Sequence, residues 1–321
     1  MKNLKTILGL SIFCIAFSFS GLTQPFSSWE DEKIEVQKGD DISVIMAADE
    51  LFFDRWDILP QPQFWKQIMQ LSPDSCLINV ASTRHVLLKM AMRDWSKQTE
   101  AEKDIFKDSL KRTYGVDMAD RINVTTGKND FYKFKEVYPD LSRGVAAFER
   151  YGVDPWYAQA ILLIESPGQL KKSSAGAYGA FQLMPSVARA QGLTVNSSVD
   201  ERKNFDRCAY GSARLISRVC VPEAKRILNA HNIAFNESDL WFRLFVLHVY
   251  HAGSLNVKAV VDKINPQEGS RELIMDMWQT SAAGFGNNSQ NYTQLALAAQ
   301  LILHEMVYNH CEEIYDCASV D

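Results

Sequence analysis

Glu165 is the residue whose position suggests chemistry. The run from Asp154 to Gly168 opens with an aspartate suited to an N-cap and a proline suited to the first helical position, and it closes on Pro167-Gly168. It therefore predicts a helix whose last turn carries Glu165. On that helix Ala158, Ile161, Leu162 and Glu165 share one stripe, so a carboxylate takes an apolar place. Burial disfavours its ionised form and the negative helix end does so again, which moves its pKa towards the ~6–7 that suits a general acid. A side chain that simply turns to solvent where the helix ends fits the segment equally well.

The next segment, Ser173-Ser174-Ala175-Gly176-Ala177-Tyr178-Gly179-Ala180-Phe181-Gln182-Leu183-Met184-Pro185, packs small residues around two glycines before a proline that can start a helix. Such a loop lets backbone approach a ligand closely, or is a glycine-rich connection with no ligand. No Asp or Glu occurs from Ser166 through Val199, so a second carboxylate of the two-carboxylate kind is not supplied nearby.

Other constellations carry less. His248 and His251 share a helix face, but the stretch from Leu240 to Tyr250 is apolar nearly all round, as buried helices are. His304-Glu305 with His310 lacks the four-residue zincin spacing, and no Gly-x-Ser-x-Gly elbow is present. We expect no metal and no cofactor. A formal net charge of −5 over 321 residues argues against affinity built on phosphate neutralisation, so nucleic acid is not an expected partner.

The elements that must position Glu165 read as helices. Thr99 with Glu102 makes a capping box for a charged amphipathic stretch stopped by Gly115; Thr83 to Ser96 reads similarly, and Leu141 to Tyr151 is closed by Gly152. No stretch alternates over strand length with hairpin punctuation. The expected fold class is mainly α. Lys2 and Lys5 ahead of the apolar run Ile7–Phe19, with small residues before Gly21, read as a signal peptide over 1–20. A flexible linker over 21–43, a helical accessory region over 44–135 and a catalytic domain over 136–321 complete the expected organisation. Removing the signal peptide leaves an odd set of cysteines, and Cys208 and Cys220, if on one helix, lie roughly 18 Å apart and cannot pair.

Three motifs, Ile164-Glu165-Ser166, then Gly176 through Pro185, then Val249-Tyr250-His251-Ala252-Gly253, resemble in order and spacing those of the lytic transglycosylase (SLT) domain. Asn291-Tyr292-Thr293-Gln294-Leu295-Ala296-Leu297-Ala298-Ala299 is similar to a segment of the membrane-bound lytic transglycosylase D branch. The resemblance implies a lysozyme-like helical domain, without cofactor, that cleaves the β-1,4 bond between N-acetylmuramic acid and N-acetylglucosamine in peptidoglycan glycan strands and closes a 1,6-anhydro ring. It implies that Glu165 is the single acid and then base, that Ser173, Gln182 and Met184 line the groove, and that the Tyr250 hydroxyl approaches Glu165. An exported, periplasmic protein follows from this and the leader. The pattern departs from the family at His251, where Asn is usual, and in a shortened loop with Pro167-Gly168. His251 is therefore expected to modulate activity around pH 6–7. A hydrolytic goose-type lysozyme or chitinase, and a cell-wall binding or scaffold protein with a drifted centre, are the rival readings.

Overall fold

The computed structural model describes residues 29–38, 41–165 and 172–315, with the side chains of 37, 38, 41 and 309–315 excepted. The expected leader over 1–20 lies outside the described residues. The chain is mainly α, as its helical periodicities imply. Two small antiparallel sheets precede the helices that carry the motifs. The first is a hairpin of β1 (Lys33–Lys38) and β2 (Asp41–Met46), followed by α1 (Glu50–Phe53) and α2 (Pro60–Gln70). The second has order β4-β3-β5, from β3 (Ser75–Val80), β4 (Val86–Ala91) and β5 (Ile122–Thr126), with α3 (Met92–Ser96) and α4 (Glu100–Tyr114) between β4 and β5. Then come α5 (Phe134–Arg150), α6 (Trp156–Glu165), α7 (Pro185–Ala190), α8 (Phe205–Leu215), α9 (Val221–Ala230), α10 (Leu240–Ala252), α11 (Ser254–Ile264), α12 (Arg271–Gln279) and α13 (Asn287–Tyr315).

The strands correct the expectation of a linker over 21–43, where 33–38 and 41–43 are strand, and add strands to the helical accessory region expected over 44–135. Residues 33–38 and 41–43 are strand because Ile34 and Val36, and Ile42 and Val44, alternate with polar residues on either side of Gly39-Asp40, a hairpin pattern that the helical reading overlooked, and Ile34, Val36 and Val44 pack against the main core. The outer edge of β2 is satisfied by side chains. Ser142 of α5 bonds the N–H and carbonyl of Val44, and Gln159 of α6 bonds those of Met46 at 2.9 and 3.0 Å. In the second sheet Cys76 to Val80 of central β3 are all buried, and a strand covered on both faces has no alternation to display. The expected helix over Thr83 to Ser96 is thereby strand β4 followed by the single short helix α3.

Local signals for the helices are present in atomic form. Thr99 and Glu102 form the reciprocal capping box of α4, and Gly115 ends it in the left-handed conformation. Helices α6 and α10 are buried on all sides from Trp156 to Ile164 and from Leu240 to Val249. One apolar core surrounds them and includes Phe64, Trp65, Ile68 and Leu77 from before residue 135; a smaller cluster joins Ile78, Val80 and Leu87 to Leu110 of α4. Cys208 and Cys220 are buried free thiols on a helical run joined by a π-helical turn over Ile216–Cys220.

Candidate active site

The position of Glu165 is fixed from the far end of its helix. Asp154 caps α6 by accepting from Trp156 N at 2.9 Å, and its second oxygen accepts from Arg243 Nε of α10 at 2.8 Å. The same guanidinium, fully buried, also binds Glu50 of α1 and Glu32 ahead of β1. One arginine thus ties the start of the hairpin, α1, α6 and α10 together. In mid-helix, Gln159 bonds both β2 and Gln300 of α13. With α6 held at these points, Glu165 ends it in the wall of a cleft of about 670 Å³.

Half-buried there, the Glu165 carboxyl is pushed up to about 7 by desolvation, against an opposing pull from the Tyr292 hydroxyl. Tyr132, Tyr250 and Tyr292 line the same cleft, and burial together with the nearby Glu165 charge raises the pKa of all three. Near neutral pH the site holds a carboxyl about half protonated among phenols that stay protonated. No other acidic side chain among the described residues lines the cleft.

The opposite wall is the loop that runs into α7. Tyr178 and Leu183 bridge it as a miniature antiparallel pair, and Arg202, itself bidentate to Asp200, donates to the carbonyls of Gly176 and Leu183 at 2.9 Å. Gly179 is required here: its φ is +89°, and a Cβ would lie 2.2 Å from Arg202 O. Gln182 holds a left-handed φ of +47°, rare for a residue with a side chain and a frequent mark of functional loops. Ser173 is exposed; its Oγ accepts from Ala177 N at 2.9 Å, which leaves the hydroxyl proton to be donated into the cleft.

All six residues singled out in the sequence, Glu165, Ser173, Gln182, Met184, Tyr250 and His251, line this one cleft. Met184 is 38% exposed, so it belongs to the cleft surface and not to the core. Tyr250 lies near enough to Glu165 for that charge to raise its pKa, and it also braces the loop: its hydroxyl donates to Phe181 O at 2.6 Å and lies 3.3 Å from Ser212 Oγ. Tyr292 is the lining phenol that draws the Glu165 pKa down, and its buried hydroxyl has no hydrogen-bond partner among the described residues. His251 stacks on the Tyr292 ring with centroids 4.3 Å apart, and desolvation lowers its pKa below the ordinary 6.5. It is neutral at pH 7, which moves the expected titration near neutrality from His251 to Glu165. His248 is buried beside Thr293, with Nε2 3.0 Å from Oγ1. Ser166 and the Pro167-Gly168 departure lie outside the described residues.

Sequence reasoning missed Tyr132, Tyr292 and Arg202. Tyr292 sat inside a segment already noted for its resemblance. Tyr132 and Arg202 carry no local signal, since one arrives from a turn and the other acts through backbone carbonyls.

Residues 145–270 match the family described as Transglycosylase SLT domain. That span contains Glu165, the loop, Tyr250 and His251, and stops short of Tyr292. No curated protein matches the chain.

Proposed function

We propose that the chain is a peptidoglycan lytic transglycosylase, with Glu165 as its single acid and base. The observation that carries this reading is one carboxyl, held near neutral pKa by its surroundings, in a cleft where no second carboxylate is found among the described lining residues. A protonated Glu165 donates its proton to the glycosidic oxygen as the C1–O bond breaks. The resulting carboxylate then takes the proton of the muramic C6 hydroxyl, whose oxygen closes on C1 to give the 1,6-anhydro sugar. Atoms balance without water, and Glu165 is regenerated in its acid form. The substrate's N-acetyl group supports the oxocarbenium-like stage, which removes the need for a protein nucleophile. Ser173, with a hydroxyl proton to give, and Gln182 and Met184 line the path of the strand.

A hydrolytic lysozyme of the inverting kind would need a carboxylate about 6.5–9.5 Å from Glu165 to activate water, and the cleft lining offers none among the described residues. Support for the membrane-bound lytic transglycosylase D branch comes from Asn291–Ala299, where Tyr292 acts on Glu165. The leader-like residues 1–20 support export to the periplasm. The activity is tested by solubilisation of purified sacculi with the wild type and Glu165→Gln side by side. The variant should turn over on the order of 10²–10⁴-fold more slowly while still binding sacculi. Substantial residual turnover would place the acid elsewhere, and sacculus binding with no turnover by the wild type would make the chain a scaffold.

A further inference from the structure

The cleft has a wall that the family match does not cover. Trp65 of α2 and Lys128, Phe131 and Tyr132, from the turn after β5, line it together with Glu165, and all four precede residue 145. This turn is preset by its backbone. Gly127 N donates to Ser75 O at 2.9 Å, Lys128 N to Ile68 O at 2.8 Å and Asn129 N to Leu71 O at 3.0 Å, while Lys128 O accepts from Phe131 N and Tyr132 N. A Cβ on Gly127 would lie 2.2 Å from the carbonyl oxygens of Leu71 and Ser72, so only glycine lets the turn sit this close to the end of α2.

What the turn presents is an ammonium and an aromatic face. Lys128 is exposed and has no ion pair among the described residues. Phe131 is 42% exposed with its ring edge-on to Tyr132 at 4.9 Å. Apart from the tyrosines, Lys128, Glu165 and His251 are the ionisable side chains among the described residues that line the cleft. With Glu165 partly protonated and His251 neutral, the cleft is net positive there. Behind the wall the buried Arg84 guanidinium, over the Phe64 and Trp65 rings, bonds the neutral Asn291 at 2.9 Å and so adds a second positive charge with no acidic partner among the described residues. A neutral sugar chain gains little from such a wall. The stem peptides on muramic acid carry free carboxylates and gain from it.

Resting on the reading of the cleft as a glycan site, we propose that this wall is a subsite for the peptide-bearing muramic residue. Phe131 takes the apolar face of the sugar, and Lys128 Nζ donates to a carboxylate of the stem peptide. The test uses full-length Glu165→Gln, which holds substrate without cleaving it, and calorimetric binding of three tetrasaccharides. One carries stem peptides with free carboxylates, one the same peptides amidated, and one is a peptide-free N-acetylglucosamine oligomer. Free carboxylates should bind about two- to fivefold tighter than amidated ones at low salt, as for an exposed ion pair. That ratio should fall to about one with Lys128→Gln added and survive with Lys128→Arg. Equal affinities, or a ratio kept by Lys128→Gln, would overturn the subsite while leaving the glycan reading intact. Failure of all three oligomers to bind would overturn both.

Discussion

A carboxyl held protonated for catalysis costs the fold stability where it must ionise, and Glu165 provides a direct measure. Its folded pKa of about 7 lies above the 4.5 of an ordinary glutamate because its charged form is poorly solvated. The unfolded chain therefore loses this proton at lower pH than the native one does. Below pH 4.5 both states are protonated and the cost is absent; it grows between 4.5 and 7 and is fully present above 7. Its full size is on the order of 3–4 kcal/mol, since each pH interval of one between the two values corresponds to about 1.4 kcal/mol, and a small part of it is already present at pH 5. Glu165→Gln removes the titration and keeps the shape. Urea unfolding of both proteins at pH 5 and pH 8.5, compared as the difference between them at each pH, isolates this group from every other carboxylate. The variant should gain about 2–3 kcal/mol on the wild type between the two conditions. A difference that does not change with pH would refute the claim that Glu165 is held protonated by its surroundings.

Turnover of sacculi should fall as pH rises through about 7, where Glu165 loses its proton, and the same limb should be found in His251→Asn because His251 is already neutral there. Tyr292→Phe removes the hydroxyl that opposes the rise in the Glu165 pKa, so the limb should move to higher pH; a move downward would show that the hydroxyl does not act on the carboxyl. Arg243→Ala leaves Glu32, Glu50 and Asp154 without their shared cation and should destabilise the chain by about 3–5 kcal/mol at pH 8. The loss should be smaller at pH 5, because burial already pushes Glu50 up to about 7 and its protonation relieves the repulsion; chemical denaturation at the two pH values reads both. Gly127→Ala drives a methyl into the carbonyls of Leu71 and Ser72 and should cost stability and sacculus binding together, whereas binding unchanged from the wild type would detach this turn from the cleft.

Where one residue type had one physical task, the sequence could be read directly. The caps at Thr99 and Asp154, the left-handed stop at Gly115 and the proline that starts α7 are local devices, and each forms as its residues imply. Glu165, Gln182 and Tyr250 could be found because their neighbours along the chain carry the pattern. Strand β3 escaped for a reason of burial, since it is covered on both faces, whereas the hairpin of β1 and β2 was legible in the alternation of Ile34 with Val36 and of Ile42 with Val44 about Gly39-Asp40 and was overlooked. The bond from Tyr250 to Phe181 O could not be read from the sequence because it depends on how α10 meets the loop. The wall formed by Trp65, Lys128 and Phe131 escaped altogether, since nothing within that turn tells which cleft it faces.

The central claim is that Glu165 serves as acid and then base in a closure that uses no water. Mass spectrometry of the products released from purified sacculi by the wild type, with Glu165→Gln beside it, tests this most directly. The account predicts anhydro-muropeptides, each lighter by one water (roughly 18 Da) than its hydrolytic counterpart, and almost none from the variant. Hydrolysed reducing ends from the wild type would contradict it.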